Sequence, residues 1–308
     1  MKVYSSIDEF QNVERPIVTT GTFDGVHFGH RKIIDRLKDL AQSCRGETVL
    51  LTFSPHPRMV LFPDDQDLKL LNTIEEKKNL LEKAGIQHLI IHPFTKEFSR
   101  TSSINFVKDI LVNKLKTHKL VIGYNHHFGR NREGSVDNLH ELSELYNFNI
   151  HSVGPCLLND QSISSTKIRD GISKGNIELT NRFLGYHFTL TGLVVKGKGM
   201  GRGIGFPTAN IRVQDQNKII PLDGVYAVNI IYDKKIFKGM LNIGKNPTFS
   251  NAELSIEVHL FDFDQDIYNQ LITLELVKRI RNEIKFSCVE DLQKQLHMDK
   301  IIALNILD

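Results

Sequence analysis

The chain of 308 residues is longer than one ordinary domain core and suits two. With 40% hydrophobic and 24% charged residues it can bury such cores, which excludes a disordered chain. Its net charge of +3 falls short of the excess that marks dedicated nucleic-acid binders, so nucleic acid is not an expected partner.

Residues 17–20 read as a β-branched strand, after which Ile33, Ile34, Leu37 and Leu40 share one helix face. The next strand spans 49–53. Thr73 and Glu76 have capping-box spacing and open a helix through Leu80 and Leu81 that Gly85 ends. A strand at 89–91, a helix at 104–115, a strand at 120–122 and a helix at 139–146 continue the alternation. That order predicts a doubly wound parallel sheet with ligand loops at the carboxyl ends of its strands. A helical stretch over 168–184 follows. Beyond it, 188–195, 225–232, 236–241, 256–263 and 272–277 are strand-like with polar turns, the pattern of an antiparallel barrel. Ser287 and Glu290 again have capping-box spacing and predict a closing helix. The fold class is therefore α/β followed by all-β, with domains at 1–184 and 185–308.

No apolar run approaches the length of a membrane span, and Lys2, Asp8, Glu9, Glu14 and Arg15 interrupt any signal-peptide core. The expectation is a cytoplasmic protein with no membrane partner. Cys44, Cys156 and Cys288 lie far apart without a CxxC pair and read as reduced packing residues.

Two segments of the first domain carry chemistry. Thr20-Gly21-Thr22-Phe23-Asp24-Gly25-Val26-His27-Phe28-Gly29-His30 lies between the first major strand and its helix, where anions bind in α/β sheets. Gly25 and Gly29 permit close backbone approach, and His27 and His30 can meet a phosphate from the turn. Zinc chemistry of the HExxH kind is not matched, since no glutamate stands between the histidines. In Ile163-Ser164-Ser165-Thr166-Lys167-Ile168-Arg169, three hydroxyls precede a helix carrying two cations. Helix-start hydroxyls are often simple caps, but with both cations the set suits a triphosphate. The pair of segments resembles the nucleotidyltransferase superfamily, whose HxGH and ISSTxxR signatures hold ATP during adenylyl or cytidylyl transfer.

In the second domain Gly197, Gly199, Gly201, Gly203 and Gly205 alternate with Lys198, Met200, Arg202 and Ile204 and run into Phe206-Pro207-Thr208-Ala209-Asn210. The run is no P-loop. Gly192 to Lys198 has the GxxxxGK spacing, but Gly199 stands where the magnesium-binding hydroxyl belongs, and Gly239 to Lys245 fails the same way with Asn246. A glycine-rich hairpin is the plain reading on composition alone. However, this loop, Pro207 to Asn210, Asn242-Ile243-Gly244-Lys245-Asn246-Pro247-Thr248 and Ile256-Glu257-Val258-His259 together resemble riboflavin kinase. With the first half, nearly the whole chain resembles the bacterial bifunctional riboflavin kinase and FAD synthetase.

The resemblance implies that the barrel phosphorylates riboflavin with ATP and that the α/β domain adenylates FMN to FAD with release of pyrophosphate. ATP would be co-substrate at two sites, with Mg2+ as cofactor. Thr208 and Asn210 match family positions for magnesium and phosphate, and Glu257 matches the general base at the ribityl hydroxyl. The five loop glycines would wrap the nucleotide and Asn242 would meet substrate. In the first domain His27 and His30 would stabilise charge on the ATP phosphates. Gly21, Phe23, Asp24, Gly29, Ser164, Ser165, Thr166 and Arg169 would hold the nucleotide, with Arg169 and Ser165 on the side opposite the histidines. Asn125, within Gly123-Tyr124-Asn125-His126-His127-Phe128-Gly129, stands where many members have Asp and is read as a tolerated hydrogen-bonding exchange. Phe62, Phe106 and Phe128 are candidates for an aromatic floor under the flavin, although each taken singly reads more readily as a core residue. Asn269 stands where a glycine is common, with only a local turn effect expected. Two other readings compete. One is a single-activity nucleotidyltransferase whose barrel only binds or dimerises. The other is an oligonucleotide-binding barrel, which a salt-sensitive gel shift would favour.

Overall fold

The computed structural model describes every residue except Gln66, Asn125, Asn159, Asp160, Lys198 and 246–253. Expectations placed on Asn125, Lys198 and the Asn246-Pro247-Thr248 segment lie outside the described residues. The chain forms two compact units: Met1–Leu70 with Ile74–Ser165, and Leu71–Thr73 with Thr166–Asp308.

The first unit runs β1 (Lys2–Tyr4), β2 (Pro16–Thr20), α1 (Phe28–Cys44), β3 (Glu47–Ser54), α2 (Pro57–Leu61), α3 (Ile74–Lys83), β4 (His88–Pro93), a turn α4 (Ser103–Asn105), a wide helix Phe106–Lys114, β5 (Lys119–Gly123), α5 (Val136–Tyr146), β6 (Asn149–Val153) and a small hairpin of β7 (Leu157–Leu158) and β8 (Gln161–Ser162). Strands β1 to β6 form a parallel sheet of order β1-β4-β3-β2-β5-β6. Successive strand residues go to opposite sides. Ile17, Leu50, Leu89 and Val121 join Ile34, Leu37 and Leu40 of α1, whereas Val18, Leu51, Ile90, Leu120 and Ile122 join Val107, Leu111 and Leu139. Burial on both faces explains why these strands are apolar runs rather than alternating ones. Winding reverses at β2, which lies between β3 and β5, so the loop leaving β2 occupies the switch point where such sheets bind ligands.

The second unit begins with α6 (Ser165–Ser173), which starts on the last residue of the first unit, and α7 (Ile177–Leu184). It continues through β9 (Phe188–Val195), the short turn α8 (Met200–Gly203), β10 (Ala209–Arg212), β11 (Gly224–Tyr232), β12 (Lys235–Lys245), β13 (Leu254–Leu260), β14 (Leu271–Arg281) and α9 (Val289–Leu307). The strands close into an antiparallel barrel of order β10-β13-β12-β11-β14-β9. Phe188, Leu190, Tyr226, Val228, Leu241, Val258, Leu274 and Leu276 are buried within it. On the outer face Ala227, Met240 and Phe261 pack with Phe206 and with Ala303 of α9. Arg281 of β14 clamps α9 by a bidentate pair with Asp299, whose side chain is fully buried and also accepts from Gln295.

Several expectations need correction. The stretch 168–184 is two helices, separated where Gly175 turns left-handed at φ +74°. Ser165 and Thr166 open α6 rather than precede it. The closing helix forms, but its N-cap is Cys288 and no side-chain cap is made, so Ser287 and Glu290 are not its capping pair. Cys288 is exposed rather than packed, while Cys44 and Cys156 are partly buried. Residues 104–115 are a short turn followed by a helix whose bonds reach five residues along, as from Leu115 N–H to the Ile110 carbonyl. Asn269 adopts φ +60°, a conformation asparagine tolerates better than most residues, so the turn persists without glycine.

Candidate active sites

The loop at the switch point is built from left-handed backbone. Phe23, Gly25 and Val26 have φ of +46°, +90° and +36°, and the apolar Phe23 and Val26 are buried beneath it. His27 caps α1: its Nδ1 accepts from the His30 N–H at 3.3 Å, which leaves the proton of the neutral ring on Nε2. The two imidazoles stack with centroids 3.7 Å apart. Gly29 gives the stack room, since a Cβ there would stand 3.1 Å from the His27 ring. His30 also packs on Phe23 at 4.7 Å, and its Nδ1 is covered yet meets no hydrogen-bond partner. Burial, then the neighbouring His27 and Lys77, hold the His30 ring well below the ordinary histidine value and so neutral. The amino end of the 17-residue α1, with its dipole, favours a nearby anion.

Asp24 is buried in this loop, and its carbonyl accepts from the Ser165 hydroxyl at 2.8 Å, which brings part of the second segment to the first. Gly21 continues β2 by donating to the Leu51 carbonyl. Ser164 precedes α6, and Thr166 and Arg169 lie on its first turns within the second unit. Phe106 and Phe128 pack against each other in the core, 6% and 7% exposed, whereas Phe62 at the end of α2 is 59% exposed.

In the barrel, Asn210, Glu257 and Asn242 occupy one rung across β10, β13 and β12, so their side chains leave the same outer face. Glu257 accepts from the Thr208 hydroxyl at 3.1 Å and from the Ser255 hydroxyl at 2.8 Å. A Cβ at Gly197 would overlap the Asn210 amide, so this glycine makes room for that side chain. Gly201 likewise lies against the Phe206 carbonyl; Gly199 caps α8, while Gly203 and Gly205 have open space where a Cβ would stand. The loop is thus a helical turn rather than a hairpin.

Two supports were not anticipated from sequence. His259, two residues beyond Glu257 on the same face, donates from Nδ1 to the Pro207 carbonyl at 2.7 Å and packs edge-on to Phe206. It fixes the residue that precedes Thr208. Lys77 of α3 donates to the Thr22 carbonyl of the switch-point loop. A lysine on the Leu81 face of an amphipathic helix was the available signal.

A parallel sheet with a histidine-bearing loop at its switch point, joined to a closed barrel with a carboxylate and two amides on one outer rung and a hydroxyl beside it, defines a two-site nucleotide-dependent transferase. The family model for FAD synthetase matches residues 9–167 and that for riboflavin kinase matches 184–307. The chain is 36% identical over 92% of its length to a bifunctional riboflavin kinase/FMN adenylyltransferase of Haemophilus influenzae, of which it covers 91%. It is 37% identical over 95% of its length to the protein of that name in Listeria monocytogenes, covering 92%. A solved structure from Streptococcus pneumoniae described as a macrolide-efflux protein superposes with a TM-score of 0.91 at 29% identity, over 99% of this chain and 98% of that one. Among the described residues no helix is long and apolar enough to cross a membrane. The chain belongs to the bifunctional riboflavin kinase/FMN adenylyltransferase family.

Proposed function

We propose that the barrel unit transfers a phosphoryl group from ATP to the terminal ribityl hydroxyl of riboflavin, and that the first unit joins the resulting FMN to AMP drawn from a second ATP. What carries the reading is the outer rung of the barrel, where Glu257 already accepts a hydrogen bond from the Thr208 hydroxyl beside Asn210 and Asn242. An alcohol placed there would find a carboxylate to align it and take its proton, and phosphoryl transfer asks for little beyond positioning and charge stabilisation. The hydroxyl of Thr208 and the amide oxygen of Asn210 are hard donors that fit Mg2+, and Gly197 leaves the amide its space. Mg2+, when bound, neutralises charge on the ATP phosphates. Asn242 orients substrate from the third position of the rung.

At the switch-point loop the neutral rings of His27 and His30 offer N–H groups to charge developing as pyrophosphate leaves the α-phosphorus, and the start of α1 adds its dipole. The FMN phosphate is the nucleophile, so no covalent enzyme intermediate is needed. Ser165 reaches this loop through Asp24; Ser164, Thr166 and Arg169 are assigned to the same ATP by the sequence pattern. Exposed Phe62 is the aromatic best suited to stack on flavin. We place both reactions in the cytoplasm, where ATP is at hand, and the boundary between the activities at 184/185. The test is incubation with riboflavin, ATP and Mg2+, with FMN and FAD followed by chromatography. Successive appearance of both is expected; appearance of neither overturns the reading.

A further inference from the structure

We infer that Lys77 is a positioning residue of the adenylylation site, whose ammonium grips the switch-point loop from beneath and gives it fixed positive charge toward the ATP triphosphate. The inference rests on the reading of that loop as the triphosphate site.

Lys77 is 7% exposed. An ammonium is expensive to bury unless its surroundings need it, and α3 has a water-facing side on which a lysine would cost nothing. Here Nζ donates to the Thr22 carbonyl at 2.8 Å, and the Thr52 hydroxyl donates to the same oxygen at 3.2 Å. That carbonyl immediately precedes Phe23, the first of the left-handed residues. Positive φ at an aromatic and at a β-branched valine persists only where neighbours over-determine it. The double grip on Thr22 does so at one end of the strained stretch, as Ser165 on the Asp24 carbonyl does inside it.

The charge has a second effect. Burial pulls the lysine below its ordinary value while the Asp24 carboxylate opposes that fall, and Lys77 in turn helps to keep His30 neutral. A triphosphate at the loop would favour the ammonium for the same reason that Asp24 does. The cation therefore gains more from the bound state than from the free one, as expected of a group that acts through nucleotide binding.

Lys77→Gln keeps an N–H donor for Thr22 but removes the charge, and Lys77→Met removes both. FAD formation from supplied FMN is measured with ATP varied, alongside the Tm and riboflavin phosphorylation of each preparation. For Lys77→Gln we expect KM for ATP to rise about tenfold or more while kcat changes by less than about threefold, with kinase activity at the parental level. For Lys77→Met a similar rise in KM should come with a lower Tm. A parental KM for ATP in Lys77→Gln overturns the proposal, as does a fall confined to kcat and Tm. If Lys77→Met does not fold, the glutamine variant decides. His30→Ala runs in parallel: FAD formation that survives it removes the site itself, whereas its loss beside an unaffected Lys77→Gln removes only the role of Lys77.

Discussion

Glu257 accepts from two hydroxyls, so Glu257→Gln preserves size and much of the bonding but not the proton acceptor. Riboflavin phosphorylation should fall by roughly 10² to 10⁴ in kcat, while FAD formation from supplied FMN persists. Full kinase turnover would demote the carboxylate to alignment. Gly197→Ala probes the neighbouring side chain, because the added methyl displaces the Asn210 amide. Kinase activity should drop by about 10²-fold, the effect of a small misplacement at a reacting centre, and a raised Mg2+ requirement should accompany it. At this scale the sequence was informative wherever a residue type was unusual for its place: paired histidines, alternating glycines, a carboxylate within a motif. It was silent on Lys77 and His259, whose roles arise from contacts with Thr22 and Pro207 that are distant along the chain. Phe106 and Phe128 were legible as aromatics, yet nothing in their spacing separates a flavin floor from a core.

Among elements, α9 has the most to hold. The fully buried Asp299 carboxylate binds Arg281, and its loss would leave a largely covered guanidinium unpaired. Asp299→Ala should destabilise the barrel by about 3 kcal/mol, read as a reduced midpoint in urea. It should also weaken the kinase, because α9 covers the same outer face from which Glu257 and His259 project. A replacement of both Arg281 and Asp299 by apolar residues that restores stability would identify the unpaired charge as the cause. Long apolar strands and amphipathic helices could be read from periodicity alone. The misses have common physical reasons: β1, β6 and β10 are short, and β1 and β6 lie at the sheet edges, so each carries too few inward residues to reveal a period. The break between α6 and α7 depends on the backbone of Gly175, since the apolar pattern runs on across it.

For the whole molecule, acid should be unfavourable. Burial first of all lowers the pKa of His30 and of His259 below the ordinary 6.5, so both are neutral when folded and take up protons more readily when unfolded. Stability is full above pH 6.5 and is lost as pH falls below it, until the depressed folded values are reached. Tm at pH 5.5 should be lower than at pH 7.5, and His259→Asn, which keeps a donor for Pro207, should flatten the profile. Fragments test the proposed boundary. Asn181 of α7 accepts from the Phe188 N–H and donates to the Leu276 carbonyl, and Phe183 and Leu184 are buried. A piece spanning 185–308 should therefore melt more than about 5 °C below one spanning 166–308, though both should phosphorylate riboflavin. Neither piece is whole, because Leu71 and Asn72 also belong to the second unit, where the nearly inaccessible Lys218 ammonium donates to the Leu71 carbonyl. This gives the chain a timetable. Leu71 leaves the ribosome long before Lys218, and β14, the last strand of the barrel, ends only at Arg281; at ordinary rates of synthesis the interval is roughly 10 to 40 s. Throughout it, three residues of the second unit stand inside the sequence of the first while the rest of their own unit is still being made.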